Sequence, residues 1–367
     1  MIYLDNNATT PIDFLVEEAM HQIYALGPLN PSSIHRQGKK GKEILLSSRD
    51  KIAAIFQVHP SELYFTSSST ESLSTIILGH VRAKNVKRIL STKIEHNAVD
   101  ACLKFLINQG VQVDTIPVGL KGAPTLESLE KALDPKVELV ILSSVYSETG
   151  AMLDLKQISE FLYQRKIPLI VDATAHIGKA PFTVYKGISA FTLSAHKFHG
   201  PQGAGLLFSR KNFPFLPLLL GGHQEMQHRA GTENLVAIVG LTKALELIEP
   251  SHFVYMEDLK NTLLRELLPF GVLNGTDEII SNTFNIAFDA HDAESLMIRL
   301  DQKGVLASMG SACSSGSIEP SRVLLEMGLQ RNRARSSLRF SVSRKNTLDE
   351  MQKAALLIKE ELCGCAL

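Results

Sequence analysis

SAHKFHGPQGAGLLF, residues 194–208, sets Lys197 between His196 and His199 and follows it with Gly200, Gly203 and Gly205. The runs at its two ends, FTLSA and GAGLLFS, read as strands, so Lys197 stands where a strand gives way to a glycine-rich loop. Further short β-branched runs precede it: ELYFTS, KRILST, VQVDTIPV, VELVILSS and IPLIVDA. Between strand runs, GKKGKEILLSSRDKIAAIF and LDLKQISEFLYQRK carry apolar residues at three- and four-residue intervals, the spacing of amphipathic helices. This alternation predicts an α/β sheet. Many of the strand runs end in Ser, Thr, Asp or His, and in open α/β sheets ligands collect at the carboxyl ends of strands.

After LVAIVGLTKALELIEP, Pro250 closes one unit and the texture changes. SNTFNIAFD and LRFSVS read as strands, AESLMIRLDQKG and TLDEMQKAALLIKEEL as helices, which suits a smaller α+β domain. A chain of 367 residues is long enough for two domains. Lys plus Arg and Asp plus Glu balance at 38 each, so no global charge points to nucleic acid or to a membrane surface. The N-terminus lacks a basic segment followed by an apolar run, and no stretch approaches ~20 consecutive apolar residues, which predicts a cytoplasmic protein. Cys102, Cys313, Cys363 and Cys365 are too few for a disulfide framework and are expected as thiols.

A lysine becomes a nucleophile near neutral pH when it is desolvated or set beside other cations. Lys197 suits a Schiff-base lysine, although a lone lysine is usually a solvated surface group. Four other stretches bear on the choice. FTSSSTES (65–72) runs from a strand into hydroxyls and a helix start, which serves either as a phosphate cradle or as an ordinary N-cap. IVDATAH delivers Asp172 into a turn, where a carboxylate either holds the pyridine nitrogen of pyridoxal phosphate or caps a helix. KIEHNAV presents His96 after a strand, as a ring-stacking or proton-moving group or as a structural histidine. SMGSACSSGSIEPS places Cys313 among small residues, a composition that lets a loop carry a thiol into and out of a site.

Together with YLDNNATTP, NPSSIHRQG, HRAGTEN and SSLRFS, and in this order, these stretches resemble the cysteine desulfurases (NifS/IscS-like) of the class V, fold-type I pyridoxal-phosphate enzymes. The resemblance covers nearly the whole chain. It implies a large mixed-sheet α/β domain over 14–250 that binds pyridoxal 5'-phosphate. Residues 1–13 and 251–367 then form a smaller α+β domain carrying the mobile Cys313 loop and Arg339. It implies that Lys197 forms the Schiff base, Asp172 pairs with the pyridinium nitrogen, and His96 stacks on the ring. Thr70, Ser194 and His196 hold the phosphate with the backbone at Ser69, and Thr232 of the other protomer of a homodimer completes that site. Arg339 takes the carboxylate of L-cysteine, for which a planar guanidinium is suited. The liberated lysine moves protons, and the Cys313 thiolate attacks the substrate sulfur. A Cys313 persulfide and L-alanine result, the sulfur going to an acceptor protein for iron–sulfur assembly or for transfer-RNA or cofactor thiolation.

The chain departs from that family pattern in three places. Ser147 in SSVYSETG stands where an asparagine usually approaches the cofactor's phenolic oxygen, and Ala175 in VDATAH replaces a glutamine that bonds the same oxygen. Each lost bond is worth ~1 kcal/mol. Ser147 or His176 could supply the missing donor in a working desulfurase; alternatively the substrate is another amino acid or selenocysteine, or the chain is a non-catalytic binding partner. Retention of Lys197, Asp172, His96, Cys313 and Arg339 ranks the working desulfurase first. The third departure is the ending, EELCGCAL, where family members that serve an iron–sulfur scaffold often continue. Cys363 and Cys365 make an incomplete metal site, and no metal is expected. The basic run QRNRARSSLRF is either an attraction for an acidic acceptor or a solvated face; direct nucleic-acid binding is not expected.

Overall fold

The computed structural model describes residues 1–276, 278–289, 291–310 and 320–364. The chain opens on a two-residue strand, β1 (Ile2–Tyr3), and later strands build a seven-stranded sheet. Its order is β2 (Leu63–Thr66), β8 (Gly205–Ser209), β7 (Ile188–Ser194), β6 (Leu169–Asp172), β5 (Leu139–Ser143), β3 (Arg88–Ser91), β4 (Gln112–Thr115). Only β8 runs against its neighbours within this sheet, so the carboxyl ends of β2, β3, β5, β6 and β7 share one edge.

Side chains alternate across this sheet as the pleat requires, and both faces are apolar. One face presents Leu63, Phe65, Val140, Leu142, Val171, Phe191 and Phe208. It is covered by Val16 of α1 (Phe14–Tyr24), Ile52 and Phe56 of α2 (Arg36–Phe56), and, further along the chain, by Ile158 and Leu162 of α6 (Leu155–Gln164) and Leu241 of α7 (Leu235–Glu246). The opposite face presents Tyr64, Ile89, Ile141, Ile170 and Leu207 to α3 (Ser69–Lys84) and α4 (Asn97–Ile107). Short α5 (Leu126–Ala132) adds Leu129 to the first face. The result is a sheet between two helical layers, buried on both sides.

A second core gathers β9 (Val272–Leu273), β10 (Thr283–Ala287) and β12 (Ser337–Ser341), an antiparallel sheet of order β12-β10-β9. It packs with α8 (Pro250–Leu267), α9 (Ala293–Gln302) and α12 (Leu348–Gly364) through Leu259, Leu263, Leu296, Phe284, Phe340 and Ile358. The N-terminus belongs to it, since Ile2 and Leu4 join this cluster and β1 pairs in parallel with β11 (Val305–Leu306). Pro250, marked by the sequence as the close of a unit, instead begins α8, because a proline's missing N–H and fixed φ suit the first helical position. Two short helices, α10 (Arg322–Glu326) and α11 (Arg331–Arg335), contribute Leu324 and Ala334 to a small apolar cluster. It includes Ile94, Tyr146 and Ala151 from loops above the main sheet.

Candidate active site

A cavity of about 270 Å3 lies at the shared carboxyl edge. β2 leads to Ser69 and Thr70, β3 to His96, β5 to Ser147, β6 to Asp172 and Ala175, and β7 to Ser194, His196 and Lys197, all of which line it. Arg339 of β12 reaches it from the second core. Ten of the residues singled out in the sequence thus surround one space: Ser69, Thr70, His96, Ser147, Asp172, Ala175, Ser194, His196, Lys197 and Arg339. Thr232 is exposed on the loop before α7 and does not line the cavity. Cys313 and Cys365 lie outside the described residues; Cys363 is exposed.

One end of the cavity is the first turn of α3, whose leading N–H groups have no partners within the helix. Ser68 caps it, accepting from Glu71 N–H at 3.2 Å, and Glu71 in turn pairs with Arg229 at 2.8 Å. Ser69 Oγ accepts from the Thr174 hydroxyl at 2.6 Å and lies 2.9 Å from Thr192 Oγ1. His196 Nδ1 is 3.1 Å from Thr9 Oγ1, and burial, reinforced by Lys197 and Lys179, pulls its imidazole down to about 4. It is therefore neutral at pH 7.

Across the cavity, Asp172 Oδ1 accepts from Thr174 N–H at 3.0 Å. Lys197 Nζ donates to the main-chain oxygens of Asn7 and Ala8 at 2.6 and 2.9 Å. His96 caps α4, its Nδ1 accepting from Ala98 N–H at 3.1 Å. Burial lowers its proton affinity, Asp172 opposing and Lys197 and Arg322 adding, so the ring is neutral and its one proton sits on Nε2. Arg339 Nη2 is bonded to Asp5 at 2.6 Å and Nη1 only weakly to Ser147 O at 3.4 Å, while its buried Nε has no partner among the described residues.

His176, weighed in the sequence as a donor, does not line the cavity: its Nε2 lies 3.1 Å from Pro181 O and its ring packs edge-on against Phe182. Other residues enter unannounced by the sequence. Asn7 bonds Lys179, Ser147 O and Thr283 through its side chain. Glu95 is buried on Thr92, Ser143 and Tyr146, and burial pushes its carboxyl up to about 7. Glu148 is a buried carboxyl whose Oε1 has no partner among the described residues, and Arg322 is a second cavity guanidinium. Asn7 and Glu95 lie within motifs quoted above, YLDNNATTP and KIEHNAV, so their polarity beside the motif residues was the signal available.

No described helix is long and apolar enough to cross a membrane. The aminotransferase class-V family pattern matches residues 2–354. Among similar proteins, a cysteine desulfurase of Nostoc sp. is 37% identical over 98% of this chain and 92% of its own length. The cysteine desulfurase IscS of Methanosarcina thermophila is 37% identical over 98% and 91%. A solved NifS-like protein superposes with a TM-score of 0.92 at 33% identity over 99% of both chains. With the lysine, carboxylate and helix end all at one carboxyl edge of such a sheet, the chain belongs to the aminotransferase class-V family, among its cysteine desulfurases of the NifS/IscS kind.

Proposed function

We propose that the cavity holds pyridoxal 5'-phosphate through Lys197 and converts L-cysteine to L-alanine, leaving the sulfur as a persulfide on Cys313. The observation that carries this is the convergence of Lys197, Asp172, the α3 end and Arg339 on one cavity. The donor set fits that cofactor. The α3 turn with Ser69, Thr70, Ser194 and a neutral His196 offers N–H and hydroxyl groups to a phosphate, and Asp172 offers a carboxylate to a ring nitrogen. When bound, the cofactor supplies an electron sink that weakens the substrate's carbon–sulfur bond.

The protein's own groups do the rest. Asn7 O and Ala8 O fix the Lys197 amine at the cavity wall, where it carries protons to and from the substrate α-carbon. His96 brings a neutral ring with its proton on Nε2. Arg339 takes the substrate carboxylate; Asp5 holds its Nη2, leaving Nε and the weakly bonded Nη1. The Cys313 thiolate attacks the substrate sulfur, forming the S–S bond as the C–S bond breaks, and the persulfide passes to an acceptor protein.

The chain acts as a homodimer in which Thr232 of one protomer completes the phosphate site of its partner. The exposed position of Thr232 and the nearby exposed run Leu218–Leu220 support this. Purified protein is expected to show the visible absorption of lysine-bound cofactor and to form alanine and sulfide from L-cysteine. Lys197→Ala removes both; Cys313→Ser keeps the absorption and loses persulfide. Bound cofactor without alanine would move the substrate elsewhere, and no bound cofactor would favour a binding partner.

A further inference from the structure

Arg322 opens α10 and lines the cavity together with His96 and Arg339. Its guanidinium donates to two main-chain oxygens just before His96, Lys93 O and, at 2.9 Å, Glu95 O. Both acceptors are uncharged, so these bonds orient the group without cancelling its charge. Among the described residues no carboxylate lies within 4.0 Å of it, whereas Arg339 is paired with Asp5 at 2.6 Å. The two acids nearest in influence do not neutralise it. Glu95 is occupied by Thr92, Ser143 and Tyr146, and burial pushes both it and Glu148 towards the uncharged form. Arg322 nonetheless acts into the cavity, lowering the proton affinity of His96 and opposing the rise at Glu148.

A cavity in which Arg339 serves one carboxylate and the α3 end serves a phosphate has a cation left over. We propose that Arg322 is a specificity-determining residue that reads the substrate's side chain, selecting a β-substituent with negative charge, thiolate or carboxylate, over a neutral isostere. This rests on the amino-acid substrate proposed above. A fixed guanidinium discriminates because a neutral ligand displaces water from it without supplying a counter-charge.

The test titrates cofactor-loaded protein with L-aspartate and L-asparagine, which match in size and differ in charge. Binding is read from the cofactor's visible spectrum and, independently, from heat. Wild type is expected to prefer aspartate about tenfold, or ~1.4 kcal/mol. Arg322→Gln should reduce that ratio to about unity, and Arg322→Lys should keep part of it. An absent preference in wild type, or a ratio unchanged in Arg322→Gln, overturns the assignment. A role confined to tying α10 to Lys93 and Glu95 would weaken both ligands alike, leave the ratio intact, and so overturn it too. Alanine formation from L-cysteine, measured alongside, separates the two levels. Alanine without the aspartate preference refutes Arg322 alone, and the preference without alanine refutes the desulfurase activity alone.

Discussion

Gly205→Ala probes how closely β8 is built under the end of α3. Gly205 pairs with Thr66 on one side and Ser194 on the other. A Cβ there would stand 2.5 Å from the Ser68 carbonyl carbon and 2.7 Å from both Ser68 Cα and Thr66 Oγ1. Carbon atoms rest ~3.5 Å apart, so the backbone must yield by roughly 1 Å. Most of the obstruction is main chain, which cannot rotate aside. Overpacking of this kind costs ~1–3 kcal/mol. Displacing Ser68 also loosens the cap on Glu71, worth ~1 kcal/mol, and moves the turn proposed to hold the phosphate. Urea unfolding is expected to show the first loss, and pyridoxal phosphate affinity should fall about tenfold for each ~1.4 kcal/mol transmitted to the turn. Gly203→Ala is the matched contrast: no atom lies within 4 Å of its Cβ, but its φ is +75°. It should cost ~1 kcal/mol of stability and leave binding intact. A Gly205→Ala protein with unchanged unfolding and unchanged cofactor affinity would refute the close packing of β8 on this turn.

Glu225→Ala removes a buried carboxylate bonded to Arg49 at 2.7 and 3.0 Å and to Phe65 N–H at 2.8 Å. Stranding the Arg49 charge should cost ~3–5 kcal/mol in urea unfolding, and a loss below ~1 kcal/mol would count against it. Burial pulls His176 and His199 from 6.5 down to about 4. Their depressed values make stability complete above the unfolded value of 6.5 and progressively lost as pH falls towards 4, a slope that replacing both by Asn should flatten. Glu95 has the opposite sign, its carboxyl raised from 4.5 to about 7, so its cost is absent below pH 4.5, grows as pH rises to 7, and is constant above. Glu95→Gln should therefore gain stability relative to wild type across that window, and an equal difference at both of its ends would contradict this.

The strands of the main sheet were legible because β5 and β6, read as VELVILSS and IPLIVDA, are apolar on both faces and end in a polar residue at the ligand edge. What local sequence could not convey was contact over long separations. Asn7 reaches Ser147 O across 140 positions and Thr283 across 276, and no window contains both partners. Lys179 escaped for another reason: lysines are seldom buried, yet this one sits 2.9 Å from Asn7 Oδ1 with no carboxylate partner among the described residues.

The stretch around Lys197 gains most from the three-dimensional arrangement. Lys197 grips Asn7 and Ala8; His196 takes Thr9 through its ring and Thr10 through its carbonyl. His199, to which the sequence assigned no role, holds Pro11 O with Nδ1 at 2.8 Å and donates its own N–H to Thr10 Oγ1 at 2.7 Å. The lysine and both histidines therefore clasp consecutive residues of one N-terminal arm. That arm is tied to the second core at its other face, by Asn7 N–H to Ser341 Oγ at 2.9 Å and by Asp13 to Arg344 at 2.9 Å. Any shift of the second core relative to the main sheet must pull on the carbonyls that fix the Lys197 amine, so the positions of Lys197 and Arg339 are coupled through residues 5–13.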